Sequence, residues 1–269
     1  MTGIEHLQQT FAALRERQEK ALVTYVTAGD PDLTTTARLM QTMAQSGADI
    51  IELGVPFSDP SADGPVIQRA STRALANGTG LAEILHLVSA ARPGLSTPVV
   101  LMSYYNPVLQ YGLTRFCQEA AAAGVAGVII PDLPVEEAGA LLAAAIPRGI
   151  AVIPLVAPTS TTQRLAKIVA VAQGFIYCVT VTGITGTSQS VTEEIAGLSR
   201  QLRELTELPL VAGFGIATPD QAARVAQYTD GVVVGSALVR LVEQQGENSL
   251  QAVDQLTREL KNVLVGKNW

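Results

Sequence analysis

Acid–base chemistry has few possible carriers in this sequence. Asp49-Ile50-Ile51-Glu52-Leu53-Gly54 sets one glutamate inside an apolar run, and the segment after it, Pro56-Phe57-Ser58-Asp59-Pro60-Ser61-Ala62-Asp63-Gly64-Pro65, carries two aspartates between prolines and a glycine. A carboxylate surrounded by apolar residues has to face an opening or find a partner. Burial raises its pKa toward the range in which it gives and takes protons near neutrality. A salt-bridged strand end is the structural alternative for Glu52, but no basic residue sits in the strands to pair with it. Asp59 before Pro60 serves equally well as a turn former, which leaves Asp63 as the better second catalytic carboxylate.

What is missing narrows the chemistry further. Lys20, Lys167, Lys261 and Lys267 lie away from the positions that could face a substrate, which disfavours a Schiff-base aldolase. His6 and His86 fall in helical segments, and without a histidine or thiolate cluster no zinc site is expected; a carboxylate-bound magnesium ion stays open. A phosphate site is suggested by Gly213-Phe214-Gly215-Ile216 and Gly235-Ser236-Ala237. Glycines let backbone N–H groups approach an anion, and a helix starting at such a turn adds its positive end. The small polar residues from Thr180 to Ser190, with Gly183 and Gly186, form either a segment that closes over a ligand or a surface loop.

These residues need elements to position them. Eight apolar runs recur: Leu22 to Thr27, Asp49 to Leu53, Val99 to Ser103, Val125 to Ile130, Ala151 to Val156, Phe175 to Val179, Leu208 to Ala212 and Gly231 to Val234. Being apolar at successive positions, they predict strands covered on both faces, as in a parallel sheet. Helical segments alternate with them. Thr34 opens one through Met43, Pro134 with Glu136 and Glu137 sits in a first turn, Thr161 precedes a stretch to Ala172, and Thr218 with Pro219 caps another. Eight βα units without a break in composition predict a single (β/α)₈ barrel domain over residues 1–269, with extra helices before it (Ile4 to Lys20) and after it (Ser249 to Val265). The first strand is followed by Thr27-Ala28-Gly29-Asp30-Pro31 and not by a dinucleotide fingerprint, which argues against a doubly wound sheet.

In this architecture catalytic residues stand at the C-terminal ends of the strands, and the loops after strands 7 and 8 hold phosphate. Thr27, Asp30, Glu52, Tyr104, Asn106, Asp132, Thr182, Thr185 and the glycine turns are the polar residues so placed. The segment from Glu52 to Pro98 is far longer than the other crossovers, which marks it as a working part. Hydrophobic residues make up 48% and charged residues 16%, enough apolar surface for two buried layers. The net charge of −6 without a basic cluster argues against nucleic acid. The polar start and the lack of a long apolar stretch argue against a secretory signal and a membrane span, and Cys117 and Cys178 suit buried thiols of a reducing compartment, so a cytoplasmic protein is expected.

Taken in order, Thr27-Ala28-Gly29-Asp30-Pro31, Glu52-Leu53-Gly54-Val55-Pro56-Phe57-Ser58-Asp59-Pro60, Ala62-Asp63-Gly64-Pro65, Gly213-Phe214-Gly215-Ile216 and Gly235-Ser236 resemble the signatures of the tryptophan synthase alpha subunits, and the similarity covers essentially the whole chain. The resemblance implies retro-aldol cleavage of indole-3-glycerol phosphate to indole and glyceraldehyde 3-phosphate. It implies catalysis by Glu52 and Asp63 helped by Tyr177, and an indole pocket of Tyr25, Ile67, Tyr104 and Ile129. It further implies phosphate binding by Gly186, Gly213, Phe214, Gly215, Gly235 and Ser236, with Thr185 and Gly186 in a lid. No cofactor is implied in this chain; pyridoxal phosphate belongs to a beta subunit partner in a heterotetramer, toward which Asp59, Asn106, Pro107 and Pro134 would face. Ser61 departs from the leucine more common at that place, which bears on loop packing. A sugar-phosphate isomerase or epimerase and a non-catalytic barrel that activates a partner are the alternatives; an epimerase would be expected to show metal-binding histidines at strand ends, which this sequence lacks.

Overall fold

Nine parallel strands lie in the order β5-β4-β3-β2-β1-β9-β8-β7-β6. They are β1 (Ala21–Thr27), β2 (Ile50–Gly54), β3 (Val99–Met102), β4 (Val125–Ile129), β5 (Ala151–Val152), β6 (Leu155–Val156), β7 (Ile176–Val179), β8 (Leu210–Gly213) and β9 (Gly231–Val234). The computed structural model describes residues 1–179, 188–213 and 215–266. The two outermost strands of that order, β5 and β6, are one pass of the chain. Only Ile153 and Pro154 separate them, and Pro154 has no N–H to donate to a ladder. Ile153 N still donates to Val128 O at 2.9 Å on one side, and Pro154 O accepts from Tyr177 N at 3.0 Å on the other. The fifth pass therefore joins both neighbours, and the sheet closes into the eight-pass barrel expected from the sequence.

Alternation along each strand divides the apolar residues into two clusters. Val23 and Tyr25, Ile50, Val100 and Met102, Ile129, Phe175 and Tyr177, Val211 and Val233 face inward. Leu22, Ile51, Leu53, Leu101, Val128, Ile176, Leu210 and Val232 face outward and pack under the helices. Helix α1 (Gly3–Glu16) opens with a reciprocal cap between Thr2 and Glu5. Its Leu7, Phe11 and Leu14 belong to the inner cluster, so it plugs the N-terminal end of the barrel. The rings of Phe11 and Phe175 meet at 5.7 Å. At the other end of the chain α12 (Ser249–Leu264) packs beside α2 (Leu33–Gln45), α10 (Pro219–Val225) and α11 (Ser236–Gln245).

The long crossover resolves into two helices, α3 (Pro65–Ala76) and α4 (Leu81–Ala91). The second does the ordinary work of a crossover, packing against α2 and against α6 (Leu113–Ala123); α3 is additional and lies against β1 and α11. Ala70 of α3 is buried in the inner cluster, with Val66 and Ile67 packed against it. This helix therefore covers part of the open end of the barrel.

Two helix starts differ from the sequence expectation. Asp32, not Thr34, caps α2, its carboxylate accepting from Thr35 N at 2.7 Å and Thr35 Oγ1 at 2.9 Å. A charged acceptor two residues upstream outcompetes the threonine, whose own side chain is weaker in that role. Pro134 to Glu137 do not begin a helix: Glu137 N donates to Pro134 O and Ala138 N to Val135 O in successive turns, and α7 runs Gly139–Ala145.

Candidate active site

Glu52 occupies the centre of β2, in register with Tyr25 of β1 and Val100 of β3. Strand alternation turns all three inward. The glutamate is fully buried, and among the described residues neither carboxyl oxygen has a hydrogen-bond partner. A charge there is costly, so loss of water, with the Asp63 charge adding to it, pushes its pKa from the ordinary 4.5 up to about 8.

Asp63 stands two residues before α3, and Tyr104, two residues past β3, fixes it. The Tyr104 hydroxyl donates to Asp63 Oδ2 at 3.1 Å and accepts from Ala62 N at 2.9 Å, while its ring lies 5.3 Å from that of Phe57. Burial raises the Asp63 carboxyl to about 6, and the hydrogen bond from Tyr104 restrains the rise. The same surroundings push the Tyr104 hydroxyl above its usual range, burial first and the Asp63 charge second. Two carboxyl groups with separated pKa values thus share one end of the barrel, a division suited to one acid and one base.

Two tyrosines of the inner layer reach upward over glycines. A methyl group at Gly54 would lie 2.0 Å from the Tyr25 hydroxyl, and one at Gly213 would lie 2.4 Å from the Tyr177 hydroxyl. Those glycines leave room for the phenols on the neighbouring strands. Tyr25 also meets Thr27 Oγ1 at 3.3 Å, and its ring packs against the backbone at Gly235. Burial is the main cause that raises both phenol pKa values, so both stay neutral donors. Ile129 is buried in the inner cluster and Ile67 is half-buried against it.

Gly213 ends β8, Gly215 has φ +80, and Gly235 precedes the first turn of α11 with no side chain capping it. The first N–H groups of that helix have no intrahelical acceptor, and Ser236 adds a hydroxyl at its start. Phe214, Thr185 and Gly186, together with Thr182, lie outside the described residues.

Some residues singled out in the sequence sit apart from this cluster. Asp59 is exposed and accepts from its neighbour Ser58 Oγ at 2.5 Å. Asn106 is exposed and Pro107 half-buried in α5 (Tyr105–Tyr111), and Pro134 is half-buried in the loop after β4. Asp132 joins those two segments by accepting from Tyr105 N at 2.9 Å. Asp30, although just past a strand end, is held by the Arg73 guanidinium at 2.7 and 2.8 Å and stands outside the cluster. Arg73 was not apparent from the sequence; the one available signal was that Asp30 needed a distant cation. His6 bonds to Ser96 O and His86 is exposed on α4. Both cysteines are buried, and burial holds the Cys178 thiol up at about 12. Among the described residues no group of three or more His, Cys, Asp or Glu is placed to hold a metal ion, and no helix is long and apolar enough to cross a membrane.

A family model described as tryptophan synthase alpha chain matches residues 11–265. The chain belongs to that family. The tryptophan synthase alpha chain of Carboxydothermus hydrogenoformans is 52% identical over 248 residues, covering 92% of this chain and 93% of the relative. That of Geobacter sulfurreducens is 54% identical over 235 residues, with 87% and 89% covered. The crystal structure of the Legionella pneumophila tryptophan synthase subunit alpha superposes with a TM-score of 0.90 at 38% identity, covering 98% of each chain. A tryptophan synthase structure from Mycobacterium tuberculosis gives 0.87 at 38% identity, covering 97% of this chain and 98% of that one. Membership of the tryptophan synthase alpha chain family settles the fold as a TIM barrel and decides against a sugar-phosphate isomerase or epimerase.

Proposed function

We propose that Glu52 and Asp63 carry out, in this chain, the carbon–carbon bond cleavage of a tryptophan synthase alpha chain, releasing indole and glyceraldehyde 3-phosphate from indole-3-glycerol phosphate. The observation that carries the assignment is the Glu52 carboxyl, buried without a hydrogen-bond partner among the described residues and pushed up to about 8, hence holding a proton at neutrality. Glu52 gives that proton to carbon 3 of the indole. The ring becomes iminium-like, and Asp63 accepts a hydrogen bond from the indole N–H and stabilises the positive charge. The Glu52 carboxylate then takes the proton of the hydroxyl on the adjacent carbon. The bond between that carbon and carbon 3 breaks, and its electron pair returns to the ring. Indole leaves, the hydroxyl carbon becomes the aldehyde, and Glu52 has recovered its proton. The substrate's own ring is the electron sink, so the chain works without a cofactor of its own.

Tyr177 holds Glu52 or the substrate in place, and Tyr25, Ile67, Tyr104 and Ile129 line the indole side. The turns at 213–215 and 235–236 hold the phosphate together with Gly186, and Thr185 belongs to a lid. Asp59, Asn106, Pro107 and Pro134 face a beta subunit that carries pyridoxal phosphate, in an α₂β₂ complex of the cytoplasm. The bond from Tyr105 N to Asp132 supports a common partner-facing surface, because it ties the segment with Asn106 to the one with Pro134.

Replacing Glu52 by Gln keeps the volume and removes the proton carrier. Indole release from indole-3-glycerol phosphate should fall by roughly 10³-fold or more while ligand binding is retained. Turnover within a fewfold of the unaltered chain, measured with and without added beta subunit, would remove Glu52 from the mechanism.

A further inference from the structure

A chain of charges joins the loop after β1, α3 and α11 outside the reacting groups. Arg73 of α3 donates Nε to Asp30 Oδ1 at 2.7 Å and Nη2 to Asp30 Oδ2 at 2.8 Å, and its Nη1 to Glu243 Oε1 at 2.9 Å. Arg69, one turn earlier, donates Nε and Nη2 to the two oxygens of the same Glu243, each at 2.8 Å. Asp30 is only 3% exposed, and the two arginines hold the Glu243 carboxyl down at about 2. A planar guanidinium presents donors in fixed directions and can grip two carboxylates at once, which an ammonium group cannot do with the same geometry.

The elements joined in this way carry the two ends of the proposed site. α3 begins directly after Asp63-Gly64, so Asp63 rides at its head. Glu243 lies on α11, whose first turn is formed by Ser236 after Gly235. Asp30 belongs to the loop after β1, which α3 meets a second time where Asn77 Nδ2 donates to Pro31 O at 2.5 Å. Gly29, at φ +84, is pressed so closely on Thr79 that a methyl group there would lie 2.1 Å from Thr79 Oγ1. Through Arg73, the carboxylate end and the phosphate end are fixed to a common point.

We propose that Arg73 is a positioning residue that sets the spacing between Asp63 and the anion-holding start of α11, so that a ligand spanning both ends meets both at once. The inference rests on the assignment of those two ends in the preceding subsection. Its energetic content is preorganisation: a two-ended ligand gains from a correct spacing, whereas a ligand that touches one end is indifferent to it. An ion pair that served folding alone would weaken both kinds of ligand alike.

The test uses the full chain with Arg73→Lys, which keeps a cation beside buried Asp30, and Glu243→Gln. Three ligands are titrated calorimetrically: glycerol 3-phosphate for the anion end, indole for the aromatic end, and a non-cleavable indolylalkyl phosphate that spans them. In Arg73→Lys the spanning ligand should bind roughly tenfold more weakly and kcat/KM for indole-3-glycerol phosphate should fall in parallel, while the one-ended ligands stay within about twofold. Glu243→Gln should act in the same direction by about threefold, and the double variant should be no worse than Arg73→Lys, because the two groups act as one unit. Equal weakening of all three ligands, or an unchanged spanning ligand, would overturn the proposal. Failure of the unaltered chain to bind glycerol 3-phosphate would show instead that the anion end is misplaced, and the inference would fall with it.

Discussion

Asp49 and Glu52 are three residues apart, one half-buried and the other fully buried, and differ in almost everything else. Asp49 sits just before β2 at the plugged end of the barrel. Lys261 Nζ donates to its two oxygens at 3.1 and 2.9 Å, and Leu22 N donates to Oδ2 at 2.8 Å. Burial raises its pKa, but Lys261 and the backbone bond oppose the rise. Glu52, toward the open end, has among the described residues nothing to oppose the rise and no hydrogen-bond partner for either oxygen. The plugged end spends its polar groups on pairing and its apolar ones, Leu7, Phe11, Leu14 and Phe175, on close packing. The open end leaves a carboxyl bare. A buried group without partners is destabilising, and a site whose substrate supplies the missing contacts is one place where such a group is kept.

Removing each carboxyl should have opposite consequences. Asp49→Ala strands the Lys261 ammonium, which is 14% exposed, with Glu19 alone and leaves Leu22 N without its acceptor. Loss of one partner of this half-buried pair should cost about 2 kcal/mol of unfolding free energy in denaturant titration, with turnover at low temperature unchanged. A stable Asp49→Ala chain with impaired turnover would erase the distinction between the two ends.

Glu52→Gln should shift stability the other way, and only at higher pH. A carboxyl whose folded pKa lies above its unfolded value binds its proton more tightly in the folded chain. Its contribution is therefore complete below about 4.5 and is lost as the pH rises through about 8. The amide escapes that loss. The variant should match the unaltered chain near pH 4 and exceed it by about 4 kcal/mol near pH 8, read from paired unfolding curves. A variant less stable at pH 8 would mean that the Glu52 carboxylate is held by favourable contacts after all.

The barrel was legible because its strands are apolar on both faces, a pattern that needs helices outside and side chains inside. Thr161 and Thr218 were readable as caps for the same local reason, since each accepts from the residue three positions on. The split of the fifth pass at Pro154 was not legible, because a proline missing one donor disturbs a ladder without ending the strand. Pro134, Glu136 and Glu137 carry the composition of a helical first turn yet form turns, which composition cannot separate. Glu52 was conspicuous as the one charge in an apolar run. The clamp of Tyr104 on Ala62 and Asp63, and the grip of Arg73 on Asp30 and Glu243, depend on residues about 40 to 170 apart that only the closed barrel brings together.

Cleavage by this route can begin only if Glu52 holds its proton at neutrality. Infrared difference spectra between the unaltered chain and Glu52→Gln, recorded through a pH titration, isolate the carbonyl band of that one protonated carboxyl. The band should persist at pH 7 and disappear with a midpoint near 8. A band already absent at pH 7, with a midpoint near the ordinary 4.5, would leave Glu52 without a proton to give and contradict the mechanism.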